Sequence, residues 1–209
     1  ISALSGALRL AHKHGLVTGV ATIGVDLPRI ERHKHNILSR EQSMELIDGL
    51  DGHWLQPIVI VGLTTGMRLG EICALKWSRI NLDERTIRVE ASVSDTKEYG
   101  LELKGTKTGE SGDRTITLLP LTVDTLRKSL KEQNERSLRL GAGKANDALV
   151  FDDWCRAGGR PGDLLGPRYV SNAFRRVYEQ LMLTRGLPKF SFHDTRHTHI
   201  SQLLLDGQP

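Results

Sequence analysis

Aromatic residues are scarce, at 5% of the 209 residues, and there are only two cysteines, Cys73 and Cys155, far apart and without Cys-x-x-Cys spacing. That scarcity argues against a disulfide framework and against a zinc site built on paired thiolates. The expectation is two reduced thiols in a cytoplasmic protein. No apolar run approaches the roughly 20 residues that span a bilayer, and no secretory signal opens the chain, so no membrane partner is expected. Charge of one sign is not in large excess either. Lys plus Arg is 29 and Asp plus Glu is 25, a formal charge of +4, which permits a polyanionic partner without requiring one. Internal repeats and low-complexity segments are also missing.

What is present is ordinary globular material, 38% hydrophobic and 26% charged, enough for one substantial core and a fragment of a second domain. Ile1, Leu4, Leu8 and Ala11 fall at helical spacing with Gly15 as a stop. This reads as the last helix of a preceding domain. Residues 16–36 lose periodicity and read as a linker ending in the basic run Arg29-Ile30-Glu31-Arg32-His33-Lys34-His35. Both ends of the chain look like cuts through a longer protein.

Ser39-Arg40-Glu41-Gln42 fits a capping box, and the helix it opens runs to about Leu50 with Met44, Ile47 and Leu50 on one face. Trp54–Leu63 is almost wholly apolar; its length favours a buried helix, with Pro57 tolerated in the first turn. A helix is predicted from Gly66 to about Lys76. Residues 86–94 alternate as one strand, Ile87, Val89, Ala91 and Val93 opposite Arg88 and Glu90. Two short strands near 101–104 and 114–118 flank a Gly- and Ser-containing stretch, 104–113, that reads as a hairpin loop.

Val123, Leu126 and Leu130 begin a long charged helix ending at Gly141. Residues 148–151 are a short apolar segment. A further helix, 170–183, has Phe174, Val177 and Leu181 inside and Arg175 and Arg176 outside. A last helix from Thr195 is predicted to bury Ile200, Leu203 and Leu204. The fold class is α+β: mostly helix with a small antiparallel sheet.

Two stretches stand out chemically. Thr64-Thr65-Gly66-Met67-Arg68-Leu69-Gly70-Glu71 and His193-Asp194-Thr195-Arg196-His197 each place an arginine where a turn gives way to a helix. A guanidinium fork binds two phosphate oxygens, and a helix N-terminus adds favourable partial charge. His193 and Arg196, three apart, project from one helix face. Alone, either arginine reads as a solvated surface residue; together they suggest a cradle for one phosphate. Glu71, one turn after Arg68, can orient it or simply cap the turn. His197 follows His193 at a zinc-helix spacing, but the Glu of His-Glu-x-x-His is missing, so no metal is expected. His12/His14 and His33/His35 read as solvated pairs.

The segment 65–77, Thr-Gly-Met-Arg-Leu-Gly-Glu-Ile-Cys-Ala-Leu-Lys-Trp, resembles the first catalytic box of the tyrosine recombinases, the phage-integrase family. Residues 192–199, Phe-His-Asp-Thr-Arg-His-Thr-His, resemble the second. Between them Thr106-Lys107-Thr108, Ser111 and Arg114-Thr115-Ile116 resemble the family's hairpin-lysine region. The resemblance covers 38–209. It implies a catalytic domain over 37–209, preceded by the tail of a helical core-binding domain and linker over 1–36.

The activity the resemblance implies is site-specific DNA recombination, integrating or excising a phage or mobile element. A tyrosine hydroxyl attacks a DNA phosphodiester and forms a 3′-phosphotyrosine, without metal or other cofactor, because protein cations stabilise the transition state. Arg68 and Arg196 would hold the non-bridging oxygens, Lys107 would protonate the leaving 5′-oxygen, with Lys104 as its rival, and His193 would accept the tyrosine proton or orient the phosphate. Glu71 and His197 would support them from behind. Arg29, Arg32, Lys34, Lys104, Arg175 and Arg176 are candidate DNA-backbone contacts.

Implied partners are double-stranded DNA at specific attachment sites and, for the full-length parent, a homotetramer on DNA in the bacterial cytoplasm, associated with the nucleoid. The family pattern continues to a further His or Trp and then the nucleophilic Tyr. Tyr99, Tyr169 and Tyr178 all precede the His-x-x-Arg box, so none takes the nucleophile's place, and the chain by itself is expected to hold a phosphate without cleaving DNA. Two other readings remain open: a non-catalytic DNA-binding factor, and a type IB topoisomerase-like enzyme.

Overall fold

The computed structural model describes residues 2–25, 36–105, 113–141 and 147–207. The chain divides into two compact units, residues 1–34 and 35–209. In the first, α1 (Ser2–Lys13) is followed by an irregular segment, which returns so that Ser5 Oγ donates to Thr22 Oγ1 at 2.8 Å. Leu4, Leu10, Leu16 and Ile23 are exposed, and Leu8 is half-buried.

The second unit is built around α3 (Gln56–Thr65), which follows α2 (Arg40–Gly49). Ile58, Val59, Ile60 and Val61 are consecutive and all buried. A helix that is apolar on every side must be surrounded, and α3 packs against α2, α4 (Leu69–Cys73), α5 (Pro120–Arg139) and α7 (Asp194–Leu205). Pro57 sits in the first turn, where its missing N–H costs nothing. The Ser39 capping box forms in both halves: Gln42 N donates to Ser39 Oγ at 3.2 Å and Ser39 N to Gln42 Oε1 at 2.9 Å. On α2 the buried face is Ser43, Leu46 and Ile47, with Leu50 buried just beyond; Met44, placed inside by the sequence pattern, is exposed.

The sheet differs from the expectation of one long strand and a hairpin. The stretch 86–94 splits at Glu90 into β2 (Thr86–Val89) and β3 (Ala91–Thr96). β2 lies between β1 (Ile80–Asn81) and β5 (Arg114–Thr117), all antiparallel, whereas β3 pairs with β4 (Gly100–Gly105). Val89 is opposite Arg114 and Ala91 opposite Gly105, so the chain changes partners within two residues. Alternation survives because Ile87, Val89 and Val93 remain buried on one face; period two encodes facing, not partner. The strands flanking the predicted hairpin therefore belong to different sheets.

α4 is five residues long and stops at Cys73, well short of Lys76. Its continuation is claimed by residues 148–150: Trp77 N donates to Ala148 O at 3.0 Å and Val150 N to Leu75 O at 2.8 Å. α5 ends before Gly141, whose φ is +66°. α6 (Pro167–Arg185) buries Val170, Phe174, Tyr178 and Leu181 and leaves Arg175 and Arg176 exposed. α7 turns the other way from its expected face. Thr195 and Thr198 are buried, while Ile200, Leu203 and Leu204 are exposed. Small hydroxyl-bearing residues let α7 approach α3 closely: a Cβ on Gly62 would lie 3.1 Å from Thr195 Oγ1. Thr198 Oγ1 also accepts from Leu38 N at 3.2 Å, anchoring the start of the unit. No helix among the described residues is long and apolar enough to cross a membrane.

Candidate nucleic-acid strand-transfer site

The C-terminus of α3 organises the site. Its last carbonyls have no partner further along the helix, and α7 supplies donors for two of them. His199 Nδ1 lies 3.1 Å from Leu63 O, and Arg196 Nη1 donates to Gly66 O. A cation at this end also suits the negative pole of the helix. Gly66 caps α3 in the left-handed region, φ +60°. A Cβ there would sit 2.6 Å from His199 Cδ2, so Gly66 is needed both for its backbone angle and for space. Gly66→Ala is expected to destabilise the protein by about 2 kcal/mol, from left-handed strain plus displacement of His199. Urea unfolding measures it, and a change below about 0.5 kcal/mol would contradict this account.

Two residues on, Arg68 is the N-cap of α4, and Glu71 at the third helical position accepts its backbone N–H at 2.8 Å. Gly70 lets α4 lie directly on β3, since a Cβ there would meet Val93 O at 2.6 Å. Glu71 is buried, with 5% of its side chain exposed, and it is shared. Arg68 Nη1 donates to Oε1 at 3.1 Å; Arg114 Nη1 donates to Oε1 at 3.1 Å and its Nη2 to Oε2 at 2.7 Å. Burial by itself would raise the Glu71 pKa. The Arg114 fork and the Arg68 backbone and side-chain bonds outweigh it, and the net direction is down.

Arg196 joins the same cluster. Burial pushes its pKa down, as do the positive charges of Arg68 and Arg114, with Glu71 opposing. Three guanidinium charges against one carboxylate leave 3 − 1 = +2 at the junction of α3, α4, α7 and β5. Arg68 keeps most of its donors for solvent, its side chain being 62% exposed. A cluster of guanidinium groups with net positive charge is chemically suited to an anion such as a phosphoryl group. His199 is held below its usual pKa by burial, partly offset by the Leu63 carbonyl, with Arg196 pressing it lower still. It is a neutral donor at physiological pH.

Because the Glu71 pKa is depressed in the fold, the unfolded chain takes up the proton first on acidification. Its stabilising contribution is complete above its ordinary value of 4.5 and is lost as pH falls through the lower folded value. Urea midpoints between pH 7 and pH 3 should therefore fall more steeply for the wild type than for Glu71→Gln; parallel curves would show that Glu71 is not held ionised by its arginines.

The other sequence candidates fall as follows. His193 is the exposed N-cap of α7, one turn before Arg196, and its ring meets His197 edge-on with centroids 5.0 Å apart. Lys104 lies on β4, opposite Ser92, and pairs with Glu102 at 2.8 Å. Arg175 and Arg176 sit on the outer face of α6, where Arg176 Nε donates to Asn172 O at 3.3 Å. Lys107, Arg29, Arg32 and Lys34 lie outside the described residues. Among the described residues, no group of three or more His, Cys, Asp or Glu could hold a metal ion. A cavity of about 420 Å³ lined by His53, Trp54, Arg136, Asp152 and Cys155 shares no residue with the cradle.

Arg114 and His199 lie within the motifs, but the sequence assigns neither a role. A signal for Arg114 was available: it is in phase with Ile116 on the half-buried face of β5, and a charge on a buried strand face needs a partner. Tyr178 is buried, donates to Pro188 O at 2.8 Å and has its pKa pushed up to about 12 by burial; Tyr169 packs on Trp54 and under Arg156.

The model of the phage integrase family matches residues 37–209, and the chain belongs to that family. Among curated relatives, a tyrosine recombinase XerC-like protein of Caldanaerobacter subterraneus subsp. tengcongensis is 25% identical, over 82% of this chain and 44% of the relative. The integrase of Staphylococcus phage L54a is 25% identical, over 85% of this chain and 50% of the relative. The chain thus spans about half the length of the curated relatives it matches. In fold it is similar to the Tn1549 transposon integrase in complex with transposon right end DNA, with a TM-score of 0.80 and 18% identity, covering 98% of this chain and 65% of that one. The XerA recombinase gives a TM-score of 0.61 at 22% identity, over 99% and 62% of the two chains.

Proposed function

We propose that this chain is part of a site-specific recombinase, cutting and rejoining double-stranded DNA through a phosphotyrosine intermediate. The observation that carries the reading is the net positive cradle of Arg68, Arg114 and Arg196 around buried Glu71, on a chain of the phage integrase family. A phosphodiester is a monoanion whose attack by a hydroxyl gains charge on the non-bridging oxygens. Fixed guanidinium forks stabilise that charge without reorganisation. Arg68 and Arg196 hold those oxygens. Lys107 gives its proton to the departing 5′-oxygen as the tyrosine oxygen bonds to phosphorus, and His193 takes the tyrosine proton or orients the phosphate. The nucleophile is a tyrosine after the His193-x-x-Arg196 box, since Tyr99, Tyr169 and Tyr178 all precede it; Tyr178 is besides tied to a carbonyl and Tyr169 packed on Trp54.

In this reading residues 1–36 are the end of a core-binding domain and its linker, and 37–209 belong to the catalytic domain. The full-length protein assembles as a tetramer on its attachment sites, in the bacterial cytoplasm. The complex of the Tn1549 integrase with transposon end DNA supports DNA as the partner. The test is a nicked suicide duplex offered to the full-length protein: a covalent protein–DNA adduct supports the reading. DNA binding without adduct would leave the non-catalytic factor; on a separate closed circular plasmid, relaxation of supercoils without strand exchange would leave the topoisomerase.

A further inference from the structure

We infer that Arg114 is a positioning residue for Arg68: by gripping Glu71 with both arms, it keeps that carboxylate from neutralising the arginine that must meet the phosphate. The inference rests on the reading of the cradle as a phosphate site. Four donor contacts converge on the two Glu71 oxygens. Two come from the parallel fork of Arg114, at 3.1 and 2.7 Å, one from the Arg68 backbone at 2.8 Å, and one from Arg68 Nη1 at 3.1 Å. Arg114 thus takes one contact on each oxygen, the geometry in which guanidinium and carboxylate match best. Arg68 is left with one side-chain bond and an exposed guanidinium.

Glu71 cannot be left without such a partner. It is almost fully buried, and a buried carboxylate that loses its counter-charge recruits another. The nearest free fork is that of Arg68, three residues back on the same turn. Without Arg114, Arg68 would close on Glu71 with both arms and be withdrawn from the anion site, and the cluster would fall from a net charge of +2 to +1. The location of Arg114 supports this division of labour. It is held in β5 by pairing with Val89, its side chain is less exposed than that of Arg68, 33% against 62%, and both of its terminal nitrogens are engaged by Glu71.

The test measures inorganic phosphate binding by the full-length protein, titrated by calorimetry against chloride at constant ionic strength and pH 7.5. Arg114→Gln is expected to weaken phosphate affinity about tenfold. Adding Glu71→Gln to that variant removes the trap and returns the net charge to +2, so affinity should recover to within about threefold of wild type. A residue that merely braces the strand would not be rescued by Glu71→Gln. Failure of that rescue overturns the inference, as does unchanged affinity in Arg114→Gln.

Should Arg114→Gln not fold cooperatively, Arg114→Lys decides. It keeps the charge but cannot span both carboxylate oxygens, so about a threefold loss is expected and wild-type affinity overturns the inference. Arg68→Ala and Arg196→Ala report on the site separately. If neither weakens phosphate binding, the phosphate-site reading itself falls; if both do while Arg114 variants bind normally, only the positioning role falls.

Discussion

Arg196→Ala in the full-length protein is expected to cut the rate of covalent adduct formation on a suicide duplex by about 10³-fold, with non-specific DNA affinity changed only a few-fold. Removing one preorganised donor from developing transition-state charge costs 10²–10³ in other acyl- and phosphoryl-transfer sites, and an arginine lost from a phosphoryl site can cost more. Arg196 is placed for such a role: it is half-buried, pinned by Gly66 O at the C-terminus of α3, and faces the charges of Arg68 and Arg114. Arg196→Lys is expected to recover little of the rate, because an ammonium offers no planar fork. Overall DNA affinity comes from many backbone contacts, so it should persist. An adduct rate within tenfold of wild type for Arg196→Ala, measured on denaturing gels, would remove Arg196 from the reaction.

The largest effect on stability is expected at Phe174, in the aromatic core under α6. Its ring is 1% exposed and packs with Tyr178 at 5.3 Å, Phe192 at 5.5 Å and Phe190 at 6.4 Å between centroids. Phe174→Ala should destabilise the protein by about 3–5 kcal/mol, from lost transfer energy and an unfilled cavity, and lower Tm by about 10 °C. The effect should reach the site as well. Phe192, the edge-on partner of Phe174, immediately precedes His193 and would touch a Cβ at Gly62 on α3. Aromatic packing thereby sets where α7 begins. Calorimetry of Phe174→Ala beside Phe174→Leu tests this; a Tm loss under about 3 °C for the alanine variant would mean that the cluster can collapse to fill the gap.

Much of the fold was legible because it is local. The Ser39 box, the all-apolar α3 and the stop at Gly141 each depend on residues within one or two turns of one another, and each formed. The failures share one physical origin. Residues 86–94 alternate correctly, yet alternation carries no information on strand partners, and the partners change at Glu90. Helical pattern continues past Cys73, but residues 148–150 compete for the same backbone groups. On α7 the large apolar residues were assigned inward, whereas the close approach to α3 selects Thr195 and Thr198.

For the site, the sequence by itself determined the two arginine boxes, because each is a turn-to-helix junction whose parts lie within six residues: Gly66, Arg68 and Glu71, then His193 and Arg196. Only the tertiary structure decided that Arg114, 43 residues from Glu71 in the chain, grips that carboxylate with both arms, and that Arg196 caps α3 from α7, 130 residues away. Neither contact has a period or a spacing. Both exist because β2 and β5 pair in one register and the α3–α7 packing closes a long loop, and the free energy that selects those arrangements is summed over the whole core.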